Sequence, residues 1–271
     1  MVIGGMTTIM PITHALLLPN HPLLLPGLTP EVKRVTAKTR AGLNHITSEL
    51  KTKIPEVIFI IATVGDHLPT KINHNFGYLL QSRTLPYSFT EFGDLATHGE
   101  LKINTALTHR LKESSETNLR LPQITLNKAP DNLAIPLISL GLPYSELPIV
   151  GLLLDNKLNT DDSSKLANWL EDWLMSQSLN ILLVATGNIF QTSKDSPVAR
   201  LVARQWQKVL ADNDESGLMH LQQNKNKSHD TLALPALLLY QIIKNVNFKN
   251  TVISFENAAG AGLLVTDINL S

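Results

Sequence analysis

The chain has 271 residues, 43% hydrophobic and 17% charged, with 23 basic side chains balanced by 23 acidic ones. That length can bury a substantial core, and the composition is that of a folded protein, not a disordered segment. Zero net charge gives no electrostatic footprint for nucleic acid or an anionic membrane, and zero cysteines exclude disulfides, thiolate metal sites and cysteine nucleophiles.

The opening stretch MVIGGMTTIMPITH has no basic n-region, and Pro11 and His14 interrupt its apolar residues. Neither a signal peptide nor a membrane span is expected, and the cytoplasm is the expected compartment. Ile12–Leu18 then reads as an aliphatic strand, closed by Pro19, Asn20, His21 and Pro22. In the segment that follows, Thr29 can cap a helix, Pro30 suits its first position and Glu31 its positive end. Val32, Val35, Leu43, Ile46 and Leu50 mark one face of that helix. Val57–Val64 is a second aliphatic strand, ending in Gly65, Asp66 and His67.

Asp131 and Asn132 stand in the loop-like KAPDNLAIPL. Two further strands are expected at Ile149–Leu154 and Leu179–Ala185, the latter ending in Thr186, Gly187 and Asn188. Between them Leu166, Trp169, Leu170, Trp173 and Leu174 form the buried side of a helix, which makes both tryptophans core residues. Pro197–Leu210 and Leu232–Ile243 read as helices, and the polar stretch Asp212–Asp230 as a loop or ragged helix. TVISFE and LLVTDI, joined by NAAGAG, read as two terminal strands around a glycine-bearing turn.

Near-continuous aliphatic strands alternating with amphipathic helices predict a single α/β domain over residues 1–271. Its largely parallel central sheet is flanked by helices and followed by a C-terminal β-hairpin. Ligands in such sheets gather beyond the carboxyl ends of the strands. That draws attention to Asn20, His21, Asp66, His67, Asn188, Asp131, His229 and Asp230. Two histidines and a carboxylate on separate loops suit a facial triad for iron(II), while ordinary turn chemistry explains the same residues without a metal. His14 sits in a strand pattern, and His45, His98 and His109 on helices or their ends, as surface or satisfied side chains. There is no G-x-S-x-G elbow and no P-loop, and Gly260-Ala261-Gly262 opens a strand where a dinucleotide fingerprint would open a helix.

Taken in order, the strand ends resemble those of the class III extradiol ring-cleavage dioxygenases of the LigB-like superfamily, whose fold the Memo-like proteins share. LPNHPLLLPGL is similar to that family's V-P-H-P-P-L-L-x-P-E turn, and PEVIFIIATVGDH to P-D-x-I-V-V-I-S-P-H. PDNLAIPL echoes D-H-G-x-x-V-P-L, ATGNIFQ echoes G-D-L-S-H, DTLALP echoes E-C-G-x-x-P, and FENAAGAGL echoes the closing Y-E-x-x-x-G-x-G-Y. The echoes run from Leu16 to Ile268, and scaffold positions such as Pro19, Pro22, Gly187, Pro235 and Gly260 are kept.

The departures fall on the chemistry. The family's first metal-binding histidine falls on Asn20, with His21 one place later, and the second on Val64, with His67 three places on. Its carboxylate falls on Asp230, and its acid/base histidines on Gln191 and Asp131. The resemblance therefore implies three readings. In one, iron(II) or another divalent metal held by His21, His67 and Asp230 cleaves a small aromatic diol, with Asp131 or Asp66 moving protons in place of a histidine at Gln191. In the next, the chain binds no metal and uses the fold as a binding or assembly module, as a homodimer. In the last, a metal in the same cleft serves another reaction. In an extended segment a neighbouring residue points to the opposite side, so His21 has to turn to replace Asn20.

Overall fold

Chain-distant aliphatic runs meet side by side in a sheet apolar on both faces. The computed structural model describes residues 10–51, 54–64, 76–117, 119–141, 143–192 and 196–271. Strand β1 (Ile12–Leu18) leads to helices α1 (Pro30–Val35) and α2 (Ala37–Leu50). Strands β2 (Val57–Thr63), β3 (Gly77–Leu80), β4 (Thr84–Phe89) and β5 (Asp94–Lys102) follow. Next come α3 (Thr105–Ser115), β6 (Gln123–Ile124), α4 (Asp131–Leu140), β7 (Ile149–Leu154) and α5 (Thr160–Met175). The chain closes with β8 (Ile181–Thr186), β9 (Phe190–Gln191), α6 (Pro197–Asp212), α7 (Glu215–Ser228), α8 (Ala233–Ile243), β10 (Phe248–Ala258) and β11 (Ala261–Leu270).

The main sheet runs β10-β11-β1-β8-β2-β7-β3-β6, with β9 paired to β11. Its centre, β1-β8-β2-β7, is parallel; β3 runs antiparallel to β7, and β11 antiparallel to β1. Strands β4 and β5 form a separate antiparallel pair. The predicted mixed α/β domain and its C-terminal hairpin are what the chain forms. Ala259 and Gly260 join β10 to β11, both at positive φ (50° and 88°), the backbone of a tight hairpin turn.

Side chains alternate across the central strands. Phe59 and Ile61 belong to one buried cluster with Leu166 of α5, Trp206 of α6 and Leu237 of α8; Ile58 and Ile60 belong to a second with Ile46 of α2 and Leu137 of α4. Every residue of β2, β7 and β8 is buried, so these strands carry no polar alternation. Among the described residues no helix is long and apolar enough to cross a membrane.

Several local expectations need correction. The helix expected after Thr29 is two helices, broken at the buried Thr36, and Thr29 makes no side-chain cap bond. The break takes Val35 off the inner face, leaving it 45% exposed. His98 lies on strand β5 and Asp131 opens helix α4, while Asp212–Asp230 takes the helical one of its two expected forms, as α7. Trp169 and Trp173 are only partly buried, while Leu166, Leu170 and Leu174 form the core stripe.

Candidate functional site

The carboxyl ends of β1, β8, β2 and β7 open into one cleft of about 1330 Å³. Asn20, Asn188, Val64 and Asn156, which follow those strands in turn, all line it. The turn before α4 and the end of α7 supply the rest of its wall. This is the place that the strand order makes for a ligand, because β8 inserts between β1 and β2 and their connections part there.

Backbone and amide bonds hold the strand ends in place. Asn132 Nδ2 donates to the Thr63 carbonyl at 2.6 Å, and Asn156 Nδ2 to the Val64 carbonyl at 3.0 Å. Lys225 Nζ donates to the Asn156 carbonyl at 2.6 Å, which ties the last turn of α7 to the same edge. Burial lowers the pKa of Lys225, opposed by the nearby Asp230 and Asp155. Asn188 and Thr231 clasp each other: Thr231 N donates to the Asn188 carbonyl, and Asn188 N to Thr231 Oγ1, both at 2.9 Å. The loops approach so closely here that a Cβ on Gly187 would lie 2.5 Å from the Leu232 nitrogen.

Asp230 is the most constrained charged residue of the cleft. Trp206 Nε1 donates to its Oδ2 at 2.8 Å, and the Leu232 and Ala233 amides each donate to its Oδ1 at 2.8 Å. It thereby satisfies free amides at the start of α8. Burial pushes its pKa up to about 7, against the pull of Trp206, the two amides and Lys225 toward the ionised form. Desolvation outweighs the hydrogen bonds because the carboxyl is only 5% exposed.

The other candidate residues divide. Asn20 lines the cleft, half-buried. His21 instead caps the 3-10 turn Pro22–Leu24, its Nδ1 accepting from Leu23 N at 3.2 Å. An accepting Nδ1 places the ring proton on Nε2, so neither nitrogen has a lone pair free for a metal. Burial also lowers the His21 pKa, which keeps the ring neutral. Asp131 lines the cleft at the first turn of α4, 3.7 Å from Lys128 Nζ, and Lys128 also pairs with Glu91. Gln191 lines it from β9, its side chain exposed. His229 ends α7 at positive φ. Asp66 and His67 lie outside the described residues.

Of the expected iron(II) triad, His21 is turned into a cap and Asp230 is held by protein donors, while His67 lies outside the described residues. Asn20 offers an amide oxygen, Val64 offers nothing, and both oxygens of Asp230 already accept protein hydrogen bonds. Among the described residues no three His, Asp or Glu side chains gather to hold a metal.

Sequence reasoning missed Trp206, Lys225 and Asn156. Helical spacing marks Trp206 as core, and nothing local says that its indole N–H meets Asp230. Lys225 had a signal, a basic residue near the end of a polar run, but it became legible only once that run was a helix.

No family model matches the sequence, and no curated protein does. The structure is similar to that of the uncharacterized protein JW3007 from Escherichia coli K12, with a TM-score of 0.61 at 16% identity. The match covers 94% of this chain and 99% of that one, and at such identity it speaks for the fold alone.

Proposed function

We propose that this chain carries the architecture of the LigB-like extradiol dioxygenases as a metal-free ligand-binding module. The observation that carries the reading is the state of Asp230. At the family's carboxylate position, its Oδ1 accepts from two amides at the start of α8 and its Oδ2 from the Trp206 indole, which hold it as a helix-start cap. His21, beside the first ligand position, is turned into a cap, and Val64 stands at the second. The cleft itself persists at the strand ends and is lined by amides and lysines suited to a small polar molecule.

The test is metal content of untagged protein, reloaded anaerobically with iron(II) and desalted. The expected result is trace metal and a melting temperature unchanged by EDTA. Stoichiometric iron that disappears in Asp230→Asn overturns the reading and restores the dioxygenase one, with His67 as the ligand to pursue next.

A further inference from the structure

The main sheet ends on β10, a strand of 11 residues that pairs only with β11 among the described residues. Its outer backbone is the long open edge that recruits another strand. Lys249, Thr251 and Val252 are exposed there, Val252 by 40%. A groove of about 630 Å³ runs beside the strand, walled by Lys38, Ala41 and His45 of α2 and by residues 252–255.

A bulge decides which strand can fit. The pairing with β11 shifts between Val252 and Ser254, so Ile253 is an extra residue. Lys249 lies opposite Asn269 and Glu256 opposite Leu263, which puts both on one face of the sheet, the face of α2. Asn250, Val252 and Phe255, opposite Ile268, Thr266 and Leu264, lie on the other face. A straight strand laid along β10 loses this alternation at Ile253. A second β10, related by a two-fold axis normal to the sheet through Val252, keeps it. Its own bulge falls on the far side of the axis, and the two extra residues compensate. Val252 then meets its own counterpart, and Lys249 of each strand meets Glu256 of the other on a common face.

The charges suit that pairing. Lys249 and Glu256 enter no salt bridge among the described residues. Thr39 donates to Glu256 Oε2 from its backbone N at 3.0 Å and from its Oγ1 at 2.8 Å, which fixes the carboxylate beside the edge. The two-fold axis makes the ion pair twice, once at each end of the ladder.

We infer that the protein forms a two-fold dimer through β10, joining two sheets antiparallel and edge to edge. The interface lies at the sheet edge and the cleft at the strand ends, so the dimer does not rest on the metal-free reading.

The experiment is analytical ultracentrifugation of the untagged full chain from about 1 to 100 μM. The wild type should show a monomer–dimer equilibrium with a dissociation constant of about 10 μM, as suits an interface of modest area. Val252→Lys sets two ammonium groups together on the axis, and Lys249→Glu turns both ion pairs into repulsions. Each should weaken the dimer about tenfold or more. Lys249→Arg should keep it, and so should Leu95→Lys, a change at a 77% exposed apolar residue away from β10. Circular dichroism should match the wild type throughout; should Val252→Lys lose its fold, the exposed Lys249→Glu decides alone. A monomer at every concentration, a dimer indifferent to Lys249→Glu, or one broken by Leu95→Lys would each overturn the inference. The two proposals fail separately: iron uptake sinks the metal-free reading, whereas a monomeric chain sinks only this one.

Discussion

Asp230 couples protonation to folding. Its folded pKa of about 7 stands above the ordinary 3.8, so between those values the folded chain keeps a proton that the unfolded chain releases. Stability from this group is complete below about pH 4, falls as pH rises, and levels off above about 7. The melting temperature of the wild type minus that of Asp230→Asn, measured from pH 4 to 8, should fall through that window and then flatten. A flat difference throughout would mean that the carboxyl is not desolvated. Ala259 makes a second case at this scale. An L-residue at φ 50° in the hairpin turn is strained, so Ala259→Asn should stabilise the protein by about 0.5–1 kcal/mol in urea denaturation. The glycine-bearing turn was legible in NAAGAG. The state of Asp230 was not, because it depends on Trp206 and the start of α8 arriving around it.

Elements meet at the cleft through backbone as much as through side chains. The end of β8 lies against the segment before α8, where Gly187 leaves no room for a Cβ beside Thr231 and Leu232. Gly187→Ala should therefore cost about 2 kcal/mol or more, read by chemical denaturation, since rigid backbone atoms rather than a flexible side chain stand in the way. A change under about 0.5 kcal/mol would show that the loops part easily. The strands of the sheet centre were plain in the sequence because continuous aliphatic runs admit few other fates. Strands β3 to β6 were not, since short segments such as Gly77–Leu80 and Gln123–Ile124 carry no period. The break at Thr36 was hidden for another reason. The helical pattern continues across it, while Thr36 and Arg40 bond the carbonyls of the turn after β1.

Across the molecule, two apolar clusters lie on opposite faces of one sheet and share its strands. Neither can melt while the other keeps its floor. All three tryptophans belong to the face with α5 and α6, so their fluorescence reports that face alone. Urea unfolding followed by tryptophan fluorescence and by far-UV circular dichroism should give coincident transitions; separated midpoints would reveal independent faces. The α/β class was legible in the sequence, whereas the fate of each ligand position needed the tertiary structure, since one residue of offset separates Asn20 in the cleft from His21 in its cap.

The pairing of β1 carries a consequence for the birth of the protein. Leu17 pairs with Ala185 on one side and with Thr266 on the other. Strand β1 therefore waits for partners made much later in the chain, β8 and then β11, its hydrophobic edges open until they arrive. That makes the nascent chain, more than the finished fold, the stage at which chaperones and aggregation compete for this sequence.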